Sequence, residues 1–140
     1  MAALKHDYYY LCPHCKGHLR LSNEIIFLTK TRKGESGLVL LNPAIGDYTV
    51  IGDPKLNYEP GDHVNFICPI CYENLDAKEL GANLAHVIRI EDGTGKEATV
   101  YFSKIVGEKC TYKVEDGQVE SFGTDADNYK DFFGIFRSTI

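Results

Sequence analysis

The side chains in this sequence best suited to chemistry are four cysteines set in two matching pairs. Tyr10-Leu11-Cys12-Pro13-His14-Cys15 and Phe66-Ile67-Cys68-Pro69-Ile70-Cys71 each place an apolar pair ahead of C-P-x-C. In a C-x-x-C turn both sulfurs can face one ion while backbone N–H groups of the turn point at them. Proline fixes φ there and contributes no N–H of its own. Two such turns supply the four thiolates of a closed tetrahedral site, so Cys12, Cys15, Cys68 and Cys71 are the candidate metal ligands. The competing readings are two disulfides or four reduced core thiols. A disulfide inside C-x-x-C is usually a redox device, and two of them with flanking prolines would be an unusual arrangement. Given a metal, four thiolates with no nearby carboxylate favour Zn²⁺, with iron as the main competitor.

The pairs also read as copies of one unit. Leu19 follows Cys15 by the same four residues as Leu75 follows Cys71, so each unit predicts strand, metal turn, short return strand. This resembles the zinc-ribbon group, in which two such knuckles face each other across an ion. The matching residues are the four cysteines, with Cys-Pro opening both turns, and the likeness covers the knuckles only. It implies one structural Zn²⁺. The turns are similar, too, to one part of the rubredoxins, which hold a single iron in four thiolates for electron transfer. Lys16 and Tyr72 stand where rubredoxin knuckles commonly carry glycine.

The spacer departs from the usual pattern. Fifty-two residues, 16–67, separate the pairs, where roughly 15–20 is common. A threefold longer loop adds only about 1 kcal/mol of closure entropy, against about 10–16 kcal/mol for structural zinc in small domains. The metal term dominates. The spacer is therefore expected to be folded, with three strands that extend the ribbon's sheet, and the knuckles are expected to meet only through the ion.

Stepwise along the chain, residues 8–28 predict the first knuckle hairpin, with a turn at Ser22-Asn23 and a strand over 24–28. Residues 31–37 form a polar, glycine-containing loop. The apolar run Leu38-Val39-Leu40-Leu41 is expected to be buried on both faces, and 48–51 to be another strand. After a loop over 52–62, residues 63–67 lead into the second knuckle. A short helical turn is expected at 76–80, then strands over 85–90 and 98–102. Asp116-Gly117 is a two-residue hairpin signal that pairs Val114 with Val119 and Lys113 with Glu120. On that register Cys110, Tyr112 and Val114 share a face, which assigns Cys110 to packing rather than nucleophilic chemistry. Tyr129, Phe132, Phe133 and Phe136 are spaced as an amphipathic helical stripe, expected to pack on the chain's own sheet or to dock a partner or second copy.

Composition bounds the rest. The chain has 140 residues, 44% of them apolar, and a formal net charge of −5. Residues 1–35 carry six basic side chains against three acidic ones, and the remainder nine against seventeen. An acidic chain is a poor general binder of phosphate backbones, though Lys30, Arg32 and Lys33 could dock one locally. No apolar run is long enough to span a bilayer, and residues 1–7 lack the apolar region of a secretory signal. Unpaired thiols suit a reducing compartment, so a cytoplasmic setting is expected. No Ser/His/Asp set, H-E-x-x-H helix or Walker loop is present. His14 and His18 lack the spacing to displace a cysteine.

These readings predict a mainly β fold: a zinc ribbon with two distant knuckles, extended by additional antiparallel strands, in a single domain over 1–124, with a short helical tail over 125–140. The function expected is that of a non-enzymatic structural-zinc protein serving as an interaction, adaptor or regulatory module, with a protein partner or a homodimer. The alternatives are a nucleic-acid-binding zinc ribbon, motivated by the basic N-terminal portion and Tyr8-Tyr9-Tyr10, and a rubredoxin-like iron protein.

Overall fold

The computed structural model describes residues 7–52 and 58–129. The strands in chain order are β1 (Tyr8–Leu11), β2 (Arg20–Leu21), β3 (Glu24–Thr31), β4 (Ser36–Leu41), β5 (Val50–Gly52), β6 (Val64–Ile67), β7 (Leu84–Glu91), β8 (Glu97–Ser103), β9 (Thr111–Glu115) and β10 (Gln118–Phe122). The chain is thus mainly β, as expected. Helical structure among the described residues is confined to 3₁₀ turns at Lys78–Leu80 and Ala126–Tyr129. Phe132, Phe133 and Phe136, with the rest of the predicted helical stripe beyond Tyr129, lie outside the described residues. No helix among those described is long and apolar enough to cross a membrane.

The strands form two antiparallel sheets rather than one extended ribbon. Sheet I runs β1-β7-β8-β9-β10, and sheet II runs β2-β3-β4-β5 with β6 also on β3. β3 is the spine of sheet II. Its residues Ile25, Phe27 and Thr29 are buried and alternate with less buried neighbours, the period of two that one packed face requires. β4 runs along most of it, from Ile25↔Leu41 to Lys30↔Ser36. On its other side β2 takes the first residues and β6 the last, from Leu28↔Ile67 to Thr31↔Val64.

The two sheets bury one face each against the other. Tyr10, Val87 and Val100 from sheet I meet Ile25, Phe27 and Val39 from sheet II in a single cluster that also holds Cys12 and Cys68. Across it Phe27, Phe66 and Phe102 touch in a triad with ring centroids 5.0–5.5 Å apart, within the range where edge-on and tilted pairs are favourable. A second cluster lies on the far face of sheet I, where Leu84, Cys110 and Tyr112 pack with Ala126 and Tyr129. The Tyr112 hydroxyl donates to the Ala126 carbonyl and fixes the C-terminal turn there.

Three local expectations change. The run 38–41 is not buried on both faces: Val39 is buried, but Leu38 is 54% exposed, because only one face of sheet II meets sheet I. The strand expected at 48–51 is β5 at Val50–Gly52. Tyr48 instead belongs to a loop over 42–49, and its hydroxyl sits 2.9 Å from Thr111 Oγ1 and donates to the Phe122 carbonyl at 3.1 Å. Nor do the knuckles meet only through an ion. The strand entering the second knuckle pairs with β3, which follows the first knuckle's return strand directly.

Candidate metal centre

Each knuckle is a corner at which the chain changes sheet. The first leaves β1 of sheet I and returns as β2 of sheet II. The second leaves β6 of sheet II and returns toward sheet I, where Asp76 bridges Ala85 of β7. The two corners therefore cross between the layers in opposite directions.

Their backbones match bond for bond. Cys12 N–H donates to the Gly17 carbonyl at 3.0 Å, and Cys68 N–H to the Glu73 carbonyl at 3.0 Å. Lys16 N–H closes its turn on the Cys12 carbonyl at 2.9 Å, and Tyr72 N–H on the Cys68 carbonyl at 2.9 Å. Lys16 and Tyr72 take φ of 62° and 64°, the left-handed conformation that glycine adopts without steric cost. Leu19 N–H then donates to the Tyr10 carbonyl, and Leu75 N–H to that of Phe66. The repeat read from Leu19 and Leu75 is thus a repeat of geometry.

The four sulfurs predicted as ligands come together. Cys12, Cys15, Cys68 and Cys71 place their Sγ atoms within 4.8 Å of one another. Cys12 Sγ lies 3.7 Å from Cys71 Sγ, and Cys15 Sγ lies 3.8 Å from Cys68 Sγ. Four sulfurs at about 2.3 Å from one tetrahedral ion are about 3.8 Å apart, so the donor set fits such an ion. It is far from the distance of bonded sulfurs, and all four cysteines are free thiols. The group contains no histidine or carboxylate.

Backbone donors surround the sulfurs. His14 and Cys15 point their N–H groups at Cys12 Sγ at 3.3 and 3.5 Å. Ile70 and Cys71 do the same at Cys68 Sγ at 3.3 and 3.4 Å. Gly17 N–H reaches Cys15 Sγ at 3.3 Å. Such bonds favour thiolate over thiol. Burial pushes the Cys12 thiol up to about 12, against the N–H groups of Cys15 and His14, which lower it. Burial also raises Cys68, but the N–H groups of Cys71 and Ile70, together with the Cys12 and Cys71 thiols, hold it below the ordinary thiol range.

The site is asymmetric in exposure. Cys12 and Cys68 are buried in the inter-sheet core, Cys71 is partly exposed and Cys15 is exposed. Around the exposed side stand Ile70, 55% exposed, and Tyr72, 72% exposed. Three of the described histidines take other work. His14 Nε2 pairs with the Asn74 carbonyl at 3.0 Å, tying one knuckle to the other. His86 Nδ1 pairs with the Leu75 carbonyl at 3.1 Å, and His63 Nε2 with Asn83 Oδ1 at 2.6 Å. Cys110 lies apart from the site in the second cluster, and burial raises its thiol to about 11.

The basic N-terminal portion is partly committed. Arg20 pairs with Asp7, Lys16 Nζ donates to the Pro13 carbonyl at 2.9 Å, and Arg32 faces His63 Nδ1 at 3.3 Å. Lys30 and Lys33 are exposed near the β3–β4 turn. Sequence reasoning did not find the second layer, nor the tyrosines that latch the 42–49 loop: Tyr10, whose hydroxyl donates to the Pro43 carbonyl at 2.5 Å, and Tyr48. Neither tyrosine carries a signal that separates it from an ordinary strand aromatic.

No protein-family model matches this chain, and no curated protein or solved structure matches it significantly.

Proposed function

We propose that this chain is a structural-zinc protein in which one Zn²⁺, held by Cys12, Cys15, Cys68 and Cys71, clamps two sheets together, and that it acts as a non-enzymatic interaction module. The observation that carries the metal reading is the spacing of the four sulfurs, 3.7 and 3.8 Å across the two knuckles. Four thiolates fill the tetrahedral shell of zinc and leave no position for the activated water of hydrolytic zinc sites. The zinc-ribbon likeness rests on the paired knuckles, and the zinc preference over iron on the donor set.

The interaction reading is supported by the exposed pair Ile70 and Tyr72 beside the metal turn. Apolar residues fixed on a rigid corner suit docking by another protein surface, a second copy included. Metal analysis of the purified chain, together with its mass in solution, tests the proposal. One zinc per chain, colourless protein and four thiols that react only after chelation are expected. A red protein with one iron would replace it with the electron-transfer reading. Salt-sensitive binding of oligonucleotides would favour the nucleic-acid reading.

A further inference from the structure

Between the two sheets lies a cleft of about 380 Å³ that the metal centre does not use. Its inner surface includes the triad Phe27, Phe66 and Phe102, with Ile25, Val39 and Leu41 from sheet II and Val87 and Val100 from sheet I. Two loops border it, 42–49 from sheet II and 104–110 from sheet I. From these features we infer that the cleft is a binding site for an uncharged, largely apolar small molecule of about 15 non-hydrogen atoms, since an apolar cavity of about 150 Å³ accommodates one benzene.

The chemistry of the ligand follows from how the cleft's polar groups are engaged. Thr29 Oγ1 donates to the Gly37 carbonyl at 3.0 Å and meets the Tyr58 hydroxyl at 2.7 Å. The Tyr10 and Tyr48 hydroxyls are taken by Pro43, Thr111 and Phe122. Lys104 Nζ is neutralised by Asp76 at 2.6 Å, and Glu108 accepts from Ser103, Asn128 and Tyr129. Asp47 and Lys109 also border the cleft, both exposed on its two loops. Among the aromatic and aliphatic side chains deeper in, a ligand carboxylate or ammonium would lose its hydration without gaining a partner. Aromatic rings and branched aliphatic side chains offer dispersion contact instead. The volume falls in the range of small-molecule sites.

The chain's own C-terminal phenylalanines are the rival occupant. The last described turn, Ala126–Tyr129, packs on the far face of sheet I, against Leu84, Cys110 and Tyr112. The same turn also reaches the loop that borders the cleft, where Asn128 and Tyr129 donate to Glu108. The volume and the engaged polar groups favour an external molecule, and the tail is the outcome the test must separate from it.

The test uses the full-length, metal-loaded chain and the uncharged fluorophore N-phenyl-1-naphthylamine, with 8-anilinonaphthalene-1-sulfonate as its charged relative. One molecule of the neutral probe should bind per chain, at least about tenfold more tightly than the sulfonate. Equal or tighter binding of the sulfonate would overturn the proposal. Leu41→Trp, which narrows the cleft, should weaken the neutral probe by at least about tenfold, whereas Leu21→Trp, on an exposed strand, should leave it unchanged. Should the Leu41 variant fold poorly, nuclear Overhauser contacts in the unmodified chain decide: contacts from probe to the Val39, Val87 and Val100 methyls support the site, and contacts only elsewhere refute it. The full-length variant with Phe132→Ser, Phe133→Ser and Phe136→Ser should bind as the parent does. Binding that emerges only in that variant would mean the tail fills the cleft, and the inference would fall.

Discussion

Lys16 and Tyr72 hold the same left-handed position in the two knuckles, with φ of 62° and 64°. An L side chain pays a steric penalty of about 1–2 kcal/mol there, which glycine avoids. Glycine also gains unfolded-state entropy, which offsets part of the relief. Lys16→Gly should therefore raise unfolding stability by about 0.5–1 kcal/mol in denaturant titrations, while Lys16→Val should lower it. Tyr72 is different in purpose, since its ring stands 72% exposed beside the site. A second residue-scale prediction concerns Lys104, which is 6% exposed with its ammonium 2.6 Å from Asp76 Oδ1. That ion pair is the partner of the Asp76 oxygen, which otherwise has no hydrogen bond. Asp76→Asn leaves a buried cation uncompensated and should cost about 2–3 kcal/mol, below the roughly 3–5 kcal/mol of a fully buried pair because Asp76 is partly exposed. Lys104→Met added to Asp76→Asn should recover much of that loss, as a double-mutant cycle on chemical denaturation would reveal.

At the scale of elements, the C-terminal hairpin was the most legible part of the chain. Asp116 and Gly117 both take positive φ, 52° and 77°, and the register is Val119↔Val114 and Glu120↔Lys113, as the two-residue turn requires. Lys113 Nζ meets Glu120 Oε1 at 2.8 Å. Short-range turn chemistry sets all of this, so a local reading suffices. The segment after the hairpin is held differently. Gly123 has φ of 99°, and a Cβ there would lie 2.2 Å from the Lys109 carbonyl oxygen. Close approach lets Asp125 N–H donate to that carbonyl at 2.9 Å, while Lys109 N–H donates to Asp125 Oδ2 at 2.9 Å. Gly123→Ala must push backbone from backbone and should cost about 2–4 kcal/mol. Glu120→Ala, which removes only an exposed ion-pair partner, should stay within about 1 kcal/mol. Paired thermal melts of these two variants would check the ranking. Nothing local announced the Gly123 contact, because its partner sits across a loop in another part of the chain.

For the whole molecule, the clustering of the four cysteines was legible and the layering was not. Cys-Pro-x-Cys fixes its own turn, so the four candidate positions could be read without knowing the fold. Which sheet each strand joins depends on pairings between distant residues, such as Leu28 with Ile67, and no periodicity encodes those. Under the proposed zinc reading, the layering changes what the ion would do. Hydrogen bonds inside each sheet do not pass through the four thiols, whereas both corners between the sheets do. Removing the ion should therefore loosen the sheets from each other more than it unravels either one. We expect chelation, or Cys12→Ser, to lower the melting temperature by about 10 °C or more, given shifts of roughly 4 °C per kcal/mol at this size. The far-UV strand signal should largely persist, while the near-UV signal of the packed Phe and Tyr rings fades. Cys110→Ser should behave otherwise. Its thiol is buried among Leu84, Tyr112 and Tyr129, away from the site, so the change should cost about 1–2 kcal/mol for a buried hydroxyl and leave both zinc content and chelator sensitivity as in the parent. If the chelated parent melted where the loaded protein does, the two corners would be held by their hydrogen bonds alone, and the clamp would be wrong.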